Sequence, residues 1–134
     1  STPDARFGIP VAKTLGNCLS PSNLSWLAAH LGLPTVKKML LTAELIKAPE
    51  LLESGFLYQT AAAADIQATT DALAQKLAVL APITQKASKI TLARLLQSNL
   101  PDCTDLMRET YNSKDFREGV NAFLEGRSPK WTGN

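Results

Sequence analysis

The stretch SKDFREGVNAFLEG, residues 113–126, sets the reading of the whole chain. Ser113 is a good helix cap, because its hydroxyl can accept from a backbone N–H that the first turn leaves unpaired. Phe116, Val120, Phe123 and Leu124 then recur at helical spacing and make one apolar stripe. Gly126, Pro129 and Gly133 mark the end of that helix and a short tail. The same grammar repeats upstream. Ser20 before Pro21 caps a helix carrying Leu24, Leu27 and Leu31, which Gly32 stops, and Pro34 starts another with Val36, Met39 and Leu40 on one side. Residues 48–54 form a short helix that Gly55 ends. From about Asp65 the pattern is plainly helical, with Ile66, Leu73, Leu77 and Leu80 in register. Pro82 breaks it and begins the next helix, where Ile83, Ala87 and Ile90 share a face, and Pro101 opens one with Met107 and Tyr111 four apart. The tally is about six or seven helices with hardly any strand.

Strand signals are thin. Arg6-Phe7 and Val11-Ala12 each look extended, and Phe56-Leu57-Tyr58 reads as one brief strip. No hairpin signal pairs the first two locally, so a partner sheet is expected upstream, since a lone strand leaves its backbone groups unpaired. Ala61 to Ala64 reads as a linker or helix lead-in.

Composition fits one ordinary folded domain: 134 residues, 45% hydrophobic and 19% charged. Aromatics are only 6%, so Leu and Ala have to build the core. The net charge of +2 arises from 14 basic and 12 acidic residues with no basic block, which argues against a nucleic-acid footprint. No apolar run approaches the roughly 18 residues of a membrane span, and no signal peptide opens the chain. Cys18 and Cys103 are far apart, which points to free thiols in a reducing cytosol.

Each candidate for chemistry has a plainer explanation. His30, the only histidine, lies late in an amphipathic helix with no nucleophile motif near it and reads as a helix-end surface residue. Cys18 precedes a helix N-terminus, which can lower a thiol pKa and make it nucleophilic, but a small buried apolar residue at a turn is the better reading, because free cysteines are usually buried and inert. Cys103 has no special context. Glu50 with Glu53, and Asp102 with Asp105, are three apart, and first-turn acids simply complement the helix dipole. Glycine-rich phosphate loops are absent, and one His with two isolated Cys builds no conventional soft metal site.

Three segments add a family likeness. TPDARFGIP (2–10) followed by LGNCLS (15–20), then MLLTA (39–43) with Ala48 to Gly55-Phe56-Leu57, then DFREGVNAFLEGR (115–127), together resemble the middle and the end of the crotonase (enoyl-CoA hydratase/isomerase) family. The resemblance implies that this chain is mainly α, the C-terminal helical part of an α/β spiral fold, with few or no strands. Residues 1–19 would be a remnant of the core with its acyl-pocket loop, and residues 20–134 a helical region carrying trimerisation helices. It implies a CoA thioester as substrate, an enolate-like transition state held by two backbone N–H groups, no other cofactor and no metal. Both donors and one of the two usual catalytic glutamates would lie upstream of Ser1, so the chain by itself is expected to be inactive.

The likeness has departures. The second glutamate should follow the proline of FGIP, and Val11 stands there instead. Valine moves no proton, so two-glutamate hydration in its usual form is not expected; the resemblance implies either a carboxylate supplied from elsewhere or isomerase, racemase, hydrolase or lyase chemistry. Asn17 and Cys18 would then stand nearest the acyl group. Phe123 matches a phenylalanine that the family's last helix presents to the CoA of a neighbouring subunit. The lysine three residues on is replaced by Gly126, leaving Arg127 and Lys130 placed to meet a phosphate. Expected partners are the acyl-CoA and further copies, a trimer or hexamer for the parent and self-association for the chain alone. The competing reading is a self-standing helical oligomerisation or interaction module without catalysis.

Overall fold

The computed structural model describes residues 1–133. The chain divides into two compact units, residues 1–7 with 46–99 and residues 8–45 with 100–134. Their elements are β1 (Arg6–Phe7), α1 (Pro21–Leu41), β2 (Ile46–Lys47), α2 (Ala48–Glu53), α3 (Ile66–Ala78), α4 (Pro82–Leu96), α5 (Thr104–Asn112) and α6 (Lys114–Leu124).

In the first unit the early strand does find a partner, and it lies downstream within this chain. β1 pairs antiparallel with β2, Arg6 opposite Lys47 and Phe7 opposite Ile46. The ladder runs on into α2: Ala48 N–H donates to the Ala5 carbonyl at 3.0 Å, so an amide that the helix start leaves open is satisfied. Pro49 follows inside the first turn and has no N–H to satisfy. Ile46, Ala48 and Leu51 are the buried apolar residues here, and Phe7 meets Phe56 edge-on with centroids 6.3 Å apart. Phe56 to Tyr58 is not a strand; it is a turn-rich strip after Gly55, whose φ is +78°. Glu53 closes α2 and does not sit in its first turn, so the dipole explanation holds for Glu50 alone of that pair.

α3 and α4 follow the proline grammar, with Pro82 at the start of α4. Neither has a buried residue. Val79, Ile83, Leu92 and Leu95 are all more than half exposed.

The second unit holds α1, α5 and α6. Ser20 Oγ accepts from Asn23 N–H, as its place before Pro21 predicts. Gly32 leaves the helical region at φ 74°, ψ 149°, so α1 is two helices joined by a kink. Leu31, Val36 and Met39 are buried on either side of it. α5 begins at Thr104, later than Pro101 suggests. Asp102 Oδ1 accepts from Thr104 N–H at 2.9 Å ahead of the helix, so Asp102 is not a first-turn acid. Ser113 ends α5 and caps α6, its Oγ accepting from Phe116 N–H at 2.9 Å. Val11-Ala12 is part of a turn and not a strand.

Candidate functional site

The second unit brings four pieces together: the loop from Gly8 to Ser20, the end of α5, the whole of α6 and the tail from Arg127 to Gly133. The loop folds on itself first. Lys13 and Thr14 N–H both donate to the Pro10 carbonyl at 3.0 Å, and Gly16 N–H closes the turn onto the Val11 carbonyl at 2.8 Å. Gly16 then takes φ +64°, a conformation other residues adopt only with strain.

Three contacts fix the segment after that turn. The Leu15 backbone lies against Gly119 of α6, where a Cβ would overlap the Leu15 carbonyl and stand 2.9 Å from its Cα. The Trp131 ring lies on Gly16, so that a Cβ on Gly16 would sit 3.1 Å from the ring. The Tyr111 hydroxyl donates to the Cys18 carbonyl at 3.3 Å, and the Tyr111 ring stands edge-on to Phe116, centroids 5.0 Å apart. Asn17 lies between these anchors. Its Oδ1 is buried and has no hydrogen-bond partner. An orphaned buried acceptor costs about 1–3 kcal/mol, so the position calls for a donor.

The tail is held by two carboxylates one turn apart on α6. Asp115 Oδ1 accepts from both Thr132 N–H at 2.7 Å and Thr132 Oγ1 at 2.9 Å, while Oδ2 accepts from Gly133 N–H at 2.8 Å. Glu118 takes Arg127 in a two-pronged pair, 2.6 and 3.0 Å, and also accepts from Lys130 N–H at 2.9 Å. Arg127 reaches Glu125 as well. The donors from Arg127 and Lys130 hold Glu118 at a pKa of about 2, and those from Thr132 and Gly133 hold Asp115 below the usual carboxylate range. Lys114, Asp115, Glu118, Arg127, Lys130 and Thr132 line an open concavity of about 330 Å³.

These shifts carry a prediction. Both carboxylates are depressed in the folded chain, so what they add to stability is fully present above about pH 4.5, where they ionise when unfolded, and is lost as pH falls toward 2. In a Trp26→Phe chain, Trp131 emission should therefore shift toward the solvent-exposed value on acidification between those limits. A Glu118→Gln, Asp115→Asn chain should show the exposed value already at pH 7. A flat Trp131 signal down to pH 2 would contradict the clamp.

The expected site residues fall into two groups. Val11, Asn17 and Cys18 belong to the anchored loop. Arg127 and Lys130 belong to the tail, Arg127 fully engaged by acids of the same chain. Phe123 stands apart at 71% exposure, so it is not core, and Leu124 beside it is exposed too. The α6 stripe is thus only half used, by Phe116 and Val120. His30 is exposed, stacked on Trp26 at 4.1 Å, with Nδ1 2.7 Å from the Trp26 carbonyl oxygen. Both cysteines are free, and no cluster that could hold a metal ion occurs among the described residues. Asp115, Glu118, Gly119 and Trp131 escaped the reading of the sequence as site residues. Gly119 alone left a signal, a glycine inside an amphipathic helix, where it costs about 1 kcal/mol against alanine unless packing demands it.

With this geometry in place, known proteins fall alongside it. The family model for enoyl-CoA hydratase/isomerase matches residues 2–134. The short-chain-enoyl-CoA hydratase of Clostridium acetobutylicum is 26% identical over 130 residues, covering 92% of this chain and 49% of that protein. The methylmalonyl-CoA decarboxylase of Escherichia coli is 28% identical over 109 residues, 77% of this chain and 42% of the relative. A solved methylmalonyl-CoA decarboxylase in complex with 2-nitronate-propionyl-CoA superposes with a TM-score of 0.90 at 25% identity, covering 99% of this chain and 53% of that one. The chain spans about half the length of the curated relatives it matches.

Proposed function

This chain belongs to the enoyl-CoA hydratase/isomerase family, and from that premise we propose that it forms the C-terminal, mainly helical part of an enzyme acting on a CoA thioester. The order of its motifs supports the placement, because DFREGVNAFLEGR (115–127) resembles the family's ending. Residues 1–19 supply the acyl-pocket loop, and residues 20–134 the helical region. The observation that carries the acyl-pocket assignment is Asn17, a buried amide oxygen awaiting a donor in a segment anchored on both sides.

The reaction is one that needs no proton transfer at position 11. Val11 is half-buried and its carbonyl closes the Gly16 turn, so the position serves the shape of the loop. Isomerase, racemase, hydrolase or lyase chemistry fits better than two-glutamate hydration. The resemblance assigns the two oxyanion-stabilising N–H groups to no residue from 1 to 134, so the chain alone binds but does not turn over. Free Cys18 and Cys103 fit a reducing compartment such as the cytosol. No helix among the described residues is long and apolar enough to cross a membrane.

Calorimetry with propionyl-CoA tests the reading. The 134-residue chain should bind it, and Asn17→Ala should weaken binding by about threefold to tenfold, the worth of one hydrogen bond. No binding at millimolar ligand would sink the assignment. Exchange of the acyl α-protons in deuterium oxide above the buffer rate would overturn the proposed inactivity.

Partners of the same chain are the second element of the proposal. The apolar faces of α3 and α4 are too exposed to be explained within their own unit. Self-association is expected at tens of micromolar, where ordinary interfaces form. A clean monomer by sedimentation at that concentration would refute it.

A further inference from the structure

Trp131 is an unusual place for a large side chain. It lies on a tail without regular structure and remains 39% exposed, partly covered and partly open to solvent. What it does is cover Gly16. The ring atoms Cζ3 and Cη2 stand 3.1 and 3.4 Å from where a Gly16 Cβ would be, and the Asp115 carbonyl oxygen stands 3.3 Å from the same point. Both crowd the side of Gly16 on which a Cβ would stand.

The ring is held there from both sides along the chain. Before it, Arg127 and Lys130 N–H are tied to Glu118; after it, Thr132 and Gly133 are tied to Asp115. Seven donor contacts, counting Thr132 Oγ1 and the Arg127 link to Glu125, fasten a stretch that has no ladder or helix of its own. Such fastening is far more than is needed to keep a tail from fraying. It makes sense if the placement of Trp131 matters.

We propose that Trp131 is a positioning residue: pinned by Asp115 and Glu118, it holds the Gly16 backbone, and so fixes where the Asn17 side chain points. Leu15 is held by its close approach to Gly119, and Cys18 by Tyr111. Gly16 is the one link between those anchors with wide backbone freedom, and Trp131 removes that freedom. The meaning of this for substrate selection rests on the reading above that Asn17 borders the acyl group. The positioning itself does not.

Cys18, two residues on, reports it. In a 134-residue Cys103→Ser chain, Cys18 is the single thiol, and its iodoacetamide alkylation rate measures how often the segment opens. Trp131→Ala should raise the rate on the order of tenfold, and Asp115→Asn several-fold, in chains that remain folded at the assay temperature. Trp131→Phe keeps a flat ring over Gly16 and should restore the rate to within about twofold. Unchanged rates in folded Trp131→Ala and Asp115→Asn chains would overturn the proposal, as would a Phe variant as fast as the Ala variant. Hydrogen exchange on the unsubstituted chain needs no variant: the Gly16 and Thr132 amides should open together, and independent opening would also overturn it. Propionyl-CoA binding separates the two ideas. If the rates move as expected but no thioester binds, the acyl-pocket reading fails and the positioning stands. If the thioester binds and the rates stay put, the positioning fails and the acyl-pocket reading stands.

Discussion

Gly119→Ala is expected to destabilise the second unit by about 2 kcal/mol, although alanine is the better helix former. The position is buried in the middle of α6, and the new Cβ would run into the Leu15 carbonyl oxygen and carbon. Those are backbone atoms, so no rotamer change relieves the overlap; either α6 or the loop has to move. Overpacking of this kind costs about 1–3 kcal/mol, and backbone contact places it at or above the upper end. The gain in helix propensity returns about 1 kcal/mol. Trp26 and Trp131 both lie in this unit, so tryptophan fluorescence in a urea titration reads it directly. With a slope of about 1–2 kcal/mol/M the midpoint should drop by on the order of 1 M or more. Asn121→Ala, exposed on the same helix, should leave it nearly unchanged. An unaltered midpoint in Gly119→Ala would mean that the loop and α6 are not in the contact described. The variant should also speed Cys18 alkylation, since Leu15 is one of the anchors of that segment.

Leu51→Ala should cost the first unit about 3 kcal/mol. Leu51 is 1% exposed and is the largest fully buried side chain among the described residues. It shares its burial with Ile46 of β2 and Ala48 at the head of α2, a small cluster with little to spare. Truncating leucine removes three carbon atoms and leaves a cavity that the short α2 can only partly collapse into. The two-residue ladder adds few hydrogen bonds of its own, so losing the cluster should release β1 from β2 as well. Far-UV circular dichroism against urea and amide exchange at Ala48, whose N–H donates to Ala5, would record it. Leu51→Met, close in volume, should cost less than about 1.5 kcal/mol. Equal effects of Ala and Met would argue that something other than the cavity is at work.

Most of the helical outline was legible in the chain itself. Ser20, Ser113 and Pro82 fall at helix starts, and Gly32 breaks α1 as a glycine two residues ahead of Pro34 should, because caps and breakers act over three or four residues. The errors have one source. Arg6-Phe7 was expected to pair upstream, yet its partner is Ile46-Lys47; Val11-Ala12 and Phe56 to Tyr58 had β-forming side chains and no strand to join. Pairing is a property of two distant segments, and neither advertises the other. Likewise the carboxylates Asp102 and Glu53 were assigned a dipole role from spacing, and a shift of helix boundaries by a few residues removed it.

The site followed the same division. Sequence alone, through its order of motifs, determined the family, the absence of a titrating side chain at position 11, and the small set Asn17, Cys18, Phe123, Arg127 and Lys130 to weigh. Only the tertiary structure decided which of these lie together. It set Asn17 and Cys18 in a loop held by Gly119, Tyr111 and Trp131, engaged Arg127 with Glu118 and Glu125, and left Phe123 in the open. The physical reason is reach: a cap or a breaker is read from its neighbours, whereas a ring resting on a glycine more than a hundred residues away depends on how the chain between them folds.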